Sequence, residues 1–497
     1  MNYLTLIVCL TCLLPLSVTQ AVEPSQCPNI VLMMTDDQGW GQMGYNGHPY
    51  LKTPNLDAMA ENGLRMDRFY AAASVCSPTR ASVLTGRIPN RTAVIDHGFR
   101  LRHQEKTIAP ALLKAGYATT HIGKWHLNGV GQMGVPMLKE DRFGPGKFGF
   151  ENWLSMTNFY DLDPIMSRNG VFEEFVGDTS DIAVDEAIHY IRAQHESGQP
   201  SFTVIWYPSP HYPCRALEKD LAQFEDLDIR PVDKSVLAEI VAVDRSVGTL
   251  RAALREMGIE QNTLLWYCSD NGHYQGHDKE HGSGGLRGTK STVYEGGIRV
   301  PGIIEWPARI QPRITSFPAS TVDIFPTIAE IVGLPDDSLL EPVDGMSLVS
   351  LFDADPSTRE KPIAYFQLHH DEQALVDNDY KIVGLIDKAT KQRVFSLYHI
   401  TEDRAETTDL SAQMPERFAA MQTELVEIHE SVEASLEGAD YALPPQIKTI
   451  RTPNWVDTPG YEPHFDAFEK RKEYRGQIKK RRQRDAEKAA KAAKANQ

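Results

Sequence analysis

Cysteine is scarce in this chain. Only 6 of its 497 residues are Cys. Cys9 and Cys12 fall in the first apolar stretch, which leaves Cys27, Cys76, Cys214 and Cys268 for the rest. So few thiols over this length exclude a disulfide scaffold. Long hydrophobic runs are missing too. The most apolar stretch, residues 4–16, is 13 residues long, whereas a bilayer span takes about 20, so no transmembrane anchor is expected. There is no internal repeat, which excludes solenoids. Positive charge is short: 51 Lys and Arg stand against 67 Asp and Glu, for a net charge of −16. What basic excess exists is confined to the tail. Residues 470–497 hold 12 basic and 3 acidic side chains, a balance of +9, so the remainder carries −25. An acidic body speaks against nucleic-acid binding, which needs a basic surface. It leaves room for an anionic substrate in a local basic pocket. With 41% hydrophobic and 24% charged residues, the chain is neither disordered nor fibrous, and its length predicts two or three domains.

The stretch at 4–16 is too short to span a bilayer but fits the core of a secretory signal peptide. Thr19-Gln20-Ala21 supplies small residues where cleavage needs them. No Lys or Arg precedes the run, a departure from the usual pattern. The expectation is a signal peptide over 1–21 and export to the periplasm or outside the cell, or to a lysosome in a eukaryote. Asn90-Arg91-Thr92 is a glycosylation acceptor pattern, meaningful in a eukaryotic host.

Four short runs rich in β-branched or aromatic residues each end in polar residues. Residues 29–34 lead into Thr35-Asp36-Asp37, 117–122 into Gly123-Lys124-Trp125-His126, 201–207 into Pro208-Ser209-Pro210-His211, and 263–268 into Ser269-Asp270-Asn271. These read as strands. Helical patterns lie between them at 55–62, 108–115, 178–193 and 235–257. The alternation predicts an α/β fold, a sheet covered on both faces by helices. In such sheets reactive groups gather beyond the carboxyl ends of the strands. After about Asp355 the texture changes. Strands are expected at 362–367, 374–385 and 393–398 and a helix at 414–436, a smaller α+β unit. The expected organisation is a catalytic domain at 22–355, an α+β subdomain at 356–443, and an irregular segment with a basic, solvated helical tail at 444–497.

The strongest chemical signal is Cys76-Ser77-Pro78-Thr79-Arg80, followed by Ala81-Ser82-Val83-Leu84-Thr85-Gly86-Arg87. Pro78 suits the first turn of a helix, where its missing N–H costs nothing. Cys76 then sits just before a helix N-terminus, a place that favours anions, and Arg80 adds a fixed positive fork one turn on. Such a cysteine is a low-pKa nucleophile, the precursor of another group, or a buried structural thiol.

With Cys-x-Pro-x-Arg and Leu-Thr-Gly-Arg, the chain resembles the type I sulfatases, formylglycine-dependent members of the alkaline-phosphatase-like superfamily. Thr79 stands where many members have Ser. Further stretches follow in the family's order: Thr35-Asp36-Asp37, Gly123-Lys124-Trp125-His126-Leu127, Ser269-Asp270-Asn271-Gly272, Gly285-Leu286-Arg287-Gly288-Thr289-Lys290 and Tyr294-Glu295-Gly296-Gly297-Ile298-Arg299-Val300-Pro301. The resemblance extends from about Asn29 to Leu397. It implies a large mixed sheet sandwiched by helices, with a smaller C-terminal α+β subdomain. It also implies that Cys76 is oxidised to Cα-formylglycine by a dedicated maturation enzyme. The substrate class implied is a sulfate ester, above all a sulfated carbohydrate.

Asp36, Asp37, Asp270 and Asn271 offer hard oxygens and no soft donor, which suits Ca²⁺ first and Mg²⁺ second. An Asp pair after a strand commonly forms a turn or a cap, but two such oxygen-bearing pairs, Asp36-Asp37 and Asp270-Asn271, each closing a strand, favour a metal. The resemblance implies that the ion also contacts residue 76. It further implies a hydrated aldehyde there, one hydroxyl attacking sulfur and the second later expelling sulfate. His126 is the candidate base, and His211 the candidate acid for the leaving oxygen, helped by Lys290. Arg80, Lys124 and Lys290 would hold sulfate oxygens.

His273, His277 and His281 are spaced like metal ligands on a helix, but glycines at 272, 276, 282, 284 and 285 argue for a loop over the site instead. Asp96, His97, Arg100 and His103 read equally as substrate contacts or as solvated surface. Two rival functions are a phosphate or phosphonate ester hydrolase of the same superfamily and a non-catalytic binder of sulfated polysaccharide.

Overall fold

The computed structural model describes residues 27–495, except 132, 161, 368–370 and 445–453. The expected signal peptide at 1–21 lies outside the described residues.

The strands expected at the four acid- and base-bearing runs all form, at Asn29–Thr35, Ala118–Lys124, Ser201–Trp206 and Thr263–Ser269. They lie at the centre of a ten-stranded mixed sheet. In spatial order Thr263–Ser269, Asn29–Thr35, Ser201–Trp206 and Ala118–Lys124 are neighbours, all parallel, with Asn152–Met156 parallel beyond them. Antiparallel strands flank this block on either side, Gly302–Glu305 at one border and Ile165–Arg168 at the other.

Successive residues of the first strand serve different cores. Ile30, Leu32 and Met34 pack with Ala81, Leu84, Ile108 and Phe325 from one layer of helices. Val31 and Met33 pack with Leu56, Val184 and Val243 from the other. A strand buried on both faces must be apolar at every position, which is why its sequence reads as a run rather than an alternation. The helices are Cys76–Thr85, Ile108–Lys114 and Ile324–Val332 on the first face. Pro54–Asn62, Thr179–Ser197 and Pro231–Glu256 cover the second. Asp178 caps Thr179–Ser197, its side chain accepting from the Ser180 N–H.

The C-terminal unit is a four-stranded antiparallel sheet carrying the helix Pro415–Leu436. Its strands are Ile363–Gln367, Glu372–Asp377, Tyr380–Ile386 and Arg393–His399. The single strand expected at 374–385 is thus a hairpin. Asn378 takes φ +51° in a two-residue turn between the paired Asp377 and Tyr380, a conformation Asn tolerates well. Leu375, Ile382 and Leu397 face Met421, Leu425 and Val432 of the helix. Tyr365, Val376 and Val383 face Tyr70, Val293 and Ile298 of the large domain.

Two expectations are corrected. The tail is not simply solvated. Its helix Lys472–Ala495 buries Tyr474 and Ile478 against Trp455, Phe465 and Phe468, and this cluster closes on Val130 and Val135. The glycosylation pattern fails because Asn90 is only 5% exposed. Among the described residues, no helix is long and apolar enough to cross a membrane.

Candidate active site

The carboxyl ends of the four central strands bring the expected groups together. Asp36 and Asp37 follow the first strand directly, and Asp270 and Asn271 follow its neighbour. Lys124 ends the strand on the other side of Ser201–Trp206. Gly123 is needed there: its φ is +105°, and a Cβ would stand 2.0 Å from the Trp206 carbonyl oxygen. The helix Cys76–Thr85 points its first turn at this edge. Cys76 is its first residue rather than the one before it, and Pro78 still sits in the first turn, where amides lack helical partners. All ten of its residues are buried.

Three carboxylates and three cations interlock around the thiol. Cys76 Sγ lies 3.3 Å from Asp36 Oδ1 and 3.5 Å from Lys290 Nζ. Lys290 Nζ donates to Asp37 Oδ1 at 2.5 Å, and Lys124 Nζ donates to Asp36 Oδ2. Arg80 Nη2 donates to Asp270 Oδ2 at 2.7 Å and lies 3.5 Å from Asp36 Oδ2. Its guanidinium also stacks over the Trp206 ring at 5.1 Å. Asp270 Oδ1 accepts from the Asp37 N–H at 3.2 Å, and Asn271 Nδ2 donates to Asp37 Oδ1 at 2.7 Å. Lys290 is held by its own backbone, whose N–H donates to the His273 carbonyl.

The charges set one another. Burial alone would raise Asp36, but Lys124 above all, with His211, Arg80 and Lys290, holds it well below the usual carboxylate range. Asp37 is also lowered, against burial, by Lys290 and His211. Asp270 goes the other way: burial and the Asp36 charge push it up to about 7 despite Arg80 and Lys124. Burial, then Asp270 and Asp36, raise the Cys76 thiol well above its ordinary value, and the two lysines only partly offset this. These surroundings do not favour the low-pKa thiolate reading, because burial and two carboxylates outweigh the helix end.

His211 Nε2 lies 3.8 Å from Asp37 Oδ2, and its Nδ1 faces the Tyr212 carbonyl at 2.6 Å. Burial pushes it down to about 4, against the pull of Asp37. Asp36, Asp37, Cys76 and His211 each place a ligand atom within 4.8 Å of the others. Among the described residues this is the one group of three or more His, Cys, Asp or Glu with metal-holding geometry. His126 sits beside the helix start: its carbonyl accepts from Ser77 Oγ at 2.7 Å. Its backbone has φ +55°, and its buried Nδ1 has no partner among the described residues. Burial and Lys124 hold its pKa well below the usual imidazole value.

The sequence matches the family described as Sulfatase over residues 28–334. The chain belongs to the sulfatase family. This sulfatase is 33% identical over 396 residues to N-acetylgalactosamine-6-sulfatase of Sus scrofa, covering 71% of this chain and 70% of that protein. It is 30% identical over 399 residues to arylsulfatase A of Homo sapiens, covering 72% and 74%. Among solved structures it resembles Ps i-CgsB in complex with k-i-k-neocarrahexaose. There the TM-score is 0.71 at 25% identity, over 81% of this chain and 93% of that one. The expected α/β fold, mixed sheet and smaller C-terminal unit of this sulfatase agree with that likeness.

Other expected residues divide. The three histidines of the 273–281 loop do not converge. His273 is buried under the Lys290 backbone, His277 Nδ1 lies 3.9 Å from Cys214 Sγ, and His281 packs its ring 5.5 Å from His48. Of the 96–103 group, His97 reaches the site, its ring 6.4 Å from that of His126. Arg100 lies over Phe143, and His103 stacks on Phe143 and Phe148, so both serve packing. Sequence reasoning missed Phe159, whose ring stacks on His211 at 4.7 Å with 18° between the planes. Nothing in its local sequence marks it.

Proposed function

We propose that this sulfatase removes sulfate from a sulfated carbohydrate, with residue 76 converted from Cys to Cα-formylglycine and Ca²⁺, before Mg²⁺, bound beside it. One observation carries the reading: the Cys76 thiol, on the first residue of a wholly buried helix, stands at the focus of three cations and three carboxylates. Burial and the neighbouring carboxylates disfavour a thiolate there, so Cys76 suits a precursor better than a finished catalyst. In this reading its Sγ marks where an oxygen of the hydrated aldehyde would stand. The carbohydrate assignment is supported by the relatives' names, which include an amino-sugar sulfatase.

The residues fit a hard divalent cation. Asp36, Asp37, Asp270 and Asn271 supply oxygens, and Asn271 Oδ1 is buried with no hydrogen-bond partner among the described residues. These residues and position 76 would hold the ion. When bound, it supplies Lewis-acid withdrawal of charge from the sulfuryl group.

The chain's own groups do the rest. Arg80, Lys124 and Lys290 hold sulfate oxygens, and the guanidinium fork, fixed on Trp206, orients them. His126 takes a proton at position 76. Its burial beside Lys124 keeps it neutral, as a base must be. His211 gives a proton to the leaving oxygen. Its Nδ1 donates to the Tyr212 carbonyl, so Nε2 is the nitrogen that faces the site, and the acid role requires Nε2 to take up the proton it gives, with Asp37 beside it favouring that protonation. The chain's export by residues 1–21, its maturation by a formylglycine-generating enzyme, and domain divisions after 355 and 443 complete this reading.

The test is mass spectrometry of the peptide holding residue 76, from protein made with the maturation system, beside rates on an aryl sulfate and an aryl phosphate. The expected result is an aldehyde or its hydrate at 76 and faster release of sulfate than of phosphate. Full activity with the sulfur still in place would overturn the nucleophile. Faster phosphate release would shift the reading to a phosphoesterase.

A further inference from the structure

The rim of the site beside His211 is aromatic. Tyr212 is 59% exposed and Tyr274 39% exposed. Single exposed rings are common on protein surfaces, but these two flank one imidazole. The His277 ring lies 6.0 Å from Tyr212 and 5.0 Å from Tyr274. The row of rings continues inward. Tyr212 follows His211, whose ring stacks on Phe159 and whose Nε2 faces Asp37. His277 also reaches the stretch that follows His211, its Nδ1 3.9 Å from Cys214 Sγ. Three separate stretches of chain, at 159, 211–212 and 274–277, thus make one aromatic border from the reacting groups out to water.

We propose that Tyr212 and Tyr274, with His277 between them, form a shelf that binds the C–H face of a sugar ring in the sulfated saccharide. The proposal rests on the carbohydrate reading above and names where that substrate is recognised. Aromatic faces carry partial negative charge and attract the weakly positive C–H groups of a pyranose, while its hydroxyls stay in water. Tyrosine presents a large rigid surface at small entropic cost. The buried cluster of Arg80, Lys124 and Lys290 sees only the sulfate group, which every sulfate ester shares. Contacts to the non-reacting part of the substrate must therefore come from outside it, and binding there is what separates a saccharide from other esters.

The experiment compares sulfate release from a sulfated disaccharide and from an aryl sulfate, using matured enzyme as wild type, Tyr212→Ala, Tyr274→Ala and the double variant. In the double variant the ratio of kcat/KM for the disaccharide to kcat/KM for the aryl ester should fall about tenfold, mainly through a higher KM for the disaccharide. Tyr212→Phe and Tyr274→Phe keep the ring faces and should keep the ratio within about twofold. A wild-type ratio in the double variant would overturn the shelf and leave the carbohydrate reading intact. A wild-type enzyme that cleaves the aryl ester but no sulfated saccharide would overturn both.

Discussion

Lys381 Nζ lies 3.1 Å from Glu295 Oε1 and 2.9 Å from Glu406 Oε1, and all three side chains are shut off from solvent. Lys381 belongs to the C-terminal sheet, whereas Glu295 follows Lys290 by five residues in the large domain. Glu406 also accepts from the Glu295 N–H at 2.8 Å, and its carbonyl accepts from Arg287. Gln367 Nε2 donates to the Ser291 carbonyl from the same sheet. The small unit therefore clamps the segment that delivers Lys290 to the active site.

Lys381→Met leaves two carboxylates buried without their shared cation. Losing one partner of a buried ion pair costs about 3–5 kcal/mol. The expected result is a large drop in the denaturant midpoint of unfolding. A midpoint equal to that of wild type would show that the clamp contributes nothing.

Asp270→Ala removes one of the oxygens assigned to the cation and frees Arg80 from its 2.7 Å partner. Metal affinity should fall by at least about 100-fold, more than outer-shell changes usually cause. Elemental analysis after dialysis against a chelator reads this directly. Calcium content unchanged from wild type would remove Asp270 from the ligand set.

His211→Ala should slow alkyl sulfates by about 10²-fold or more, the usual worth of a general acid. Activated aryl esters, whose leaving groups need little protonation, should lose much less. Rates across a series of leaving-group pKa values supply the measurement. Equal losses at both ends of the series would take the acid role away from His211.

Asp178 caps the helix Thr179–Ser197 from a buried position, and burial pushes its pKa up to about 6. A carboxyl raised in the folded state favours folding most below its unfolded pKa, about 4. That contribution is lost as pH rises through about 6. Asp178→Asn keeps a capping oxygen without the charge. The variant should match wild type near pH 4 and exceed it near pH 7, by on the order of 3 kcal/mol. Unfolding curves at the two pH values decide the matter; a variant less stable at pH 7 would show that the cap needs its charge.

Much of the site was readable because its groups sit where short-range rules put them. Asp36, Asp37, Lys124, Asp270 and Asn271 each end or follow an apolar run, so recognising the strand located the residue. Cys76 was readable through Pro78 and Arg80, which mark a helix start. Arg100 and His103 were not, because Phe143 and Phe148 claim them from some forty residues away. The tail misled for the same reason. Tyr474 and Ile478 are two apolar residues in a basic helix, and their partners Trp455 and Phe468 are brought to them only by a turn of the chain.

The sequence by itself determined the strands, the order in which they hand acids, lysines and histidines to one edge, and the family to which that order belongs. These depend on hydrophobic periodicity and on residues adjacent in the chain. Tertiary structure alone decided which charges surround Cys76, the direction in which His211 faces, and the clamp on Lys290. A pKa depends on every charge and every lost water around a group, and those neighbours come from strands and loops hundreds of residues apart.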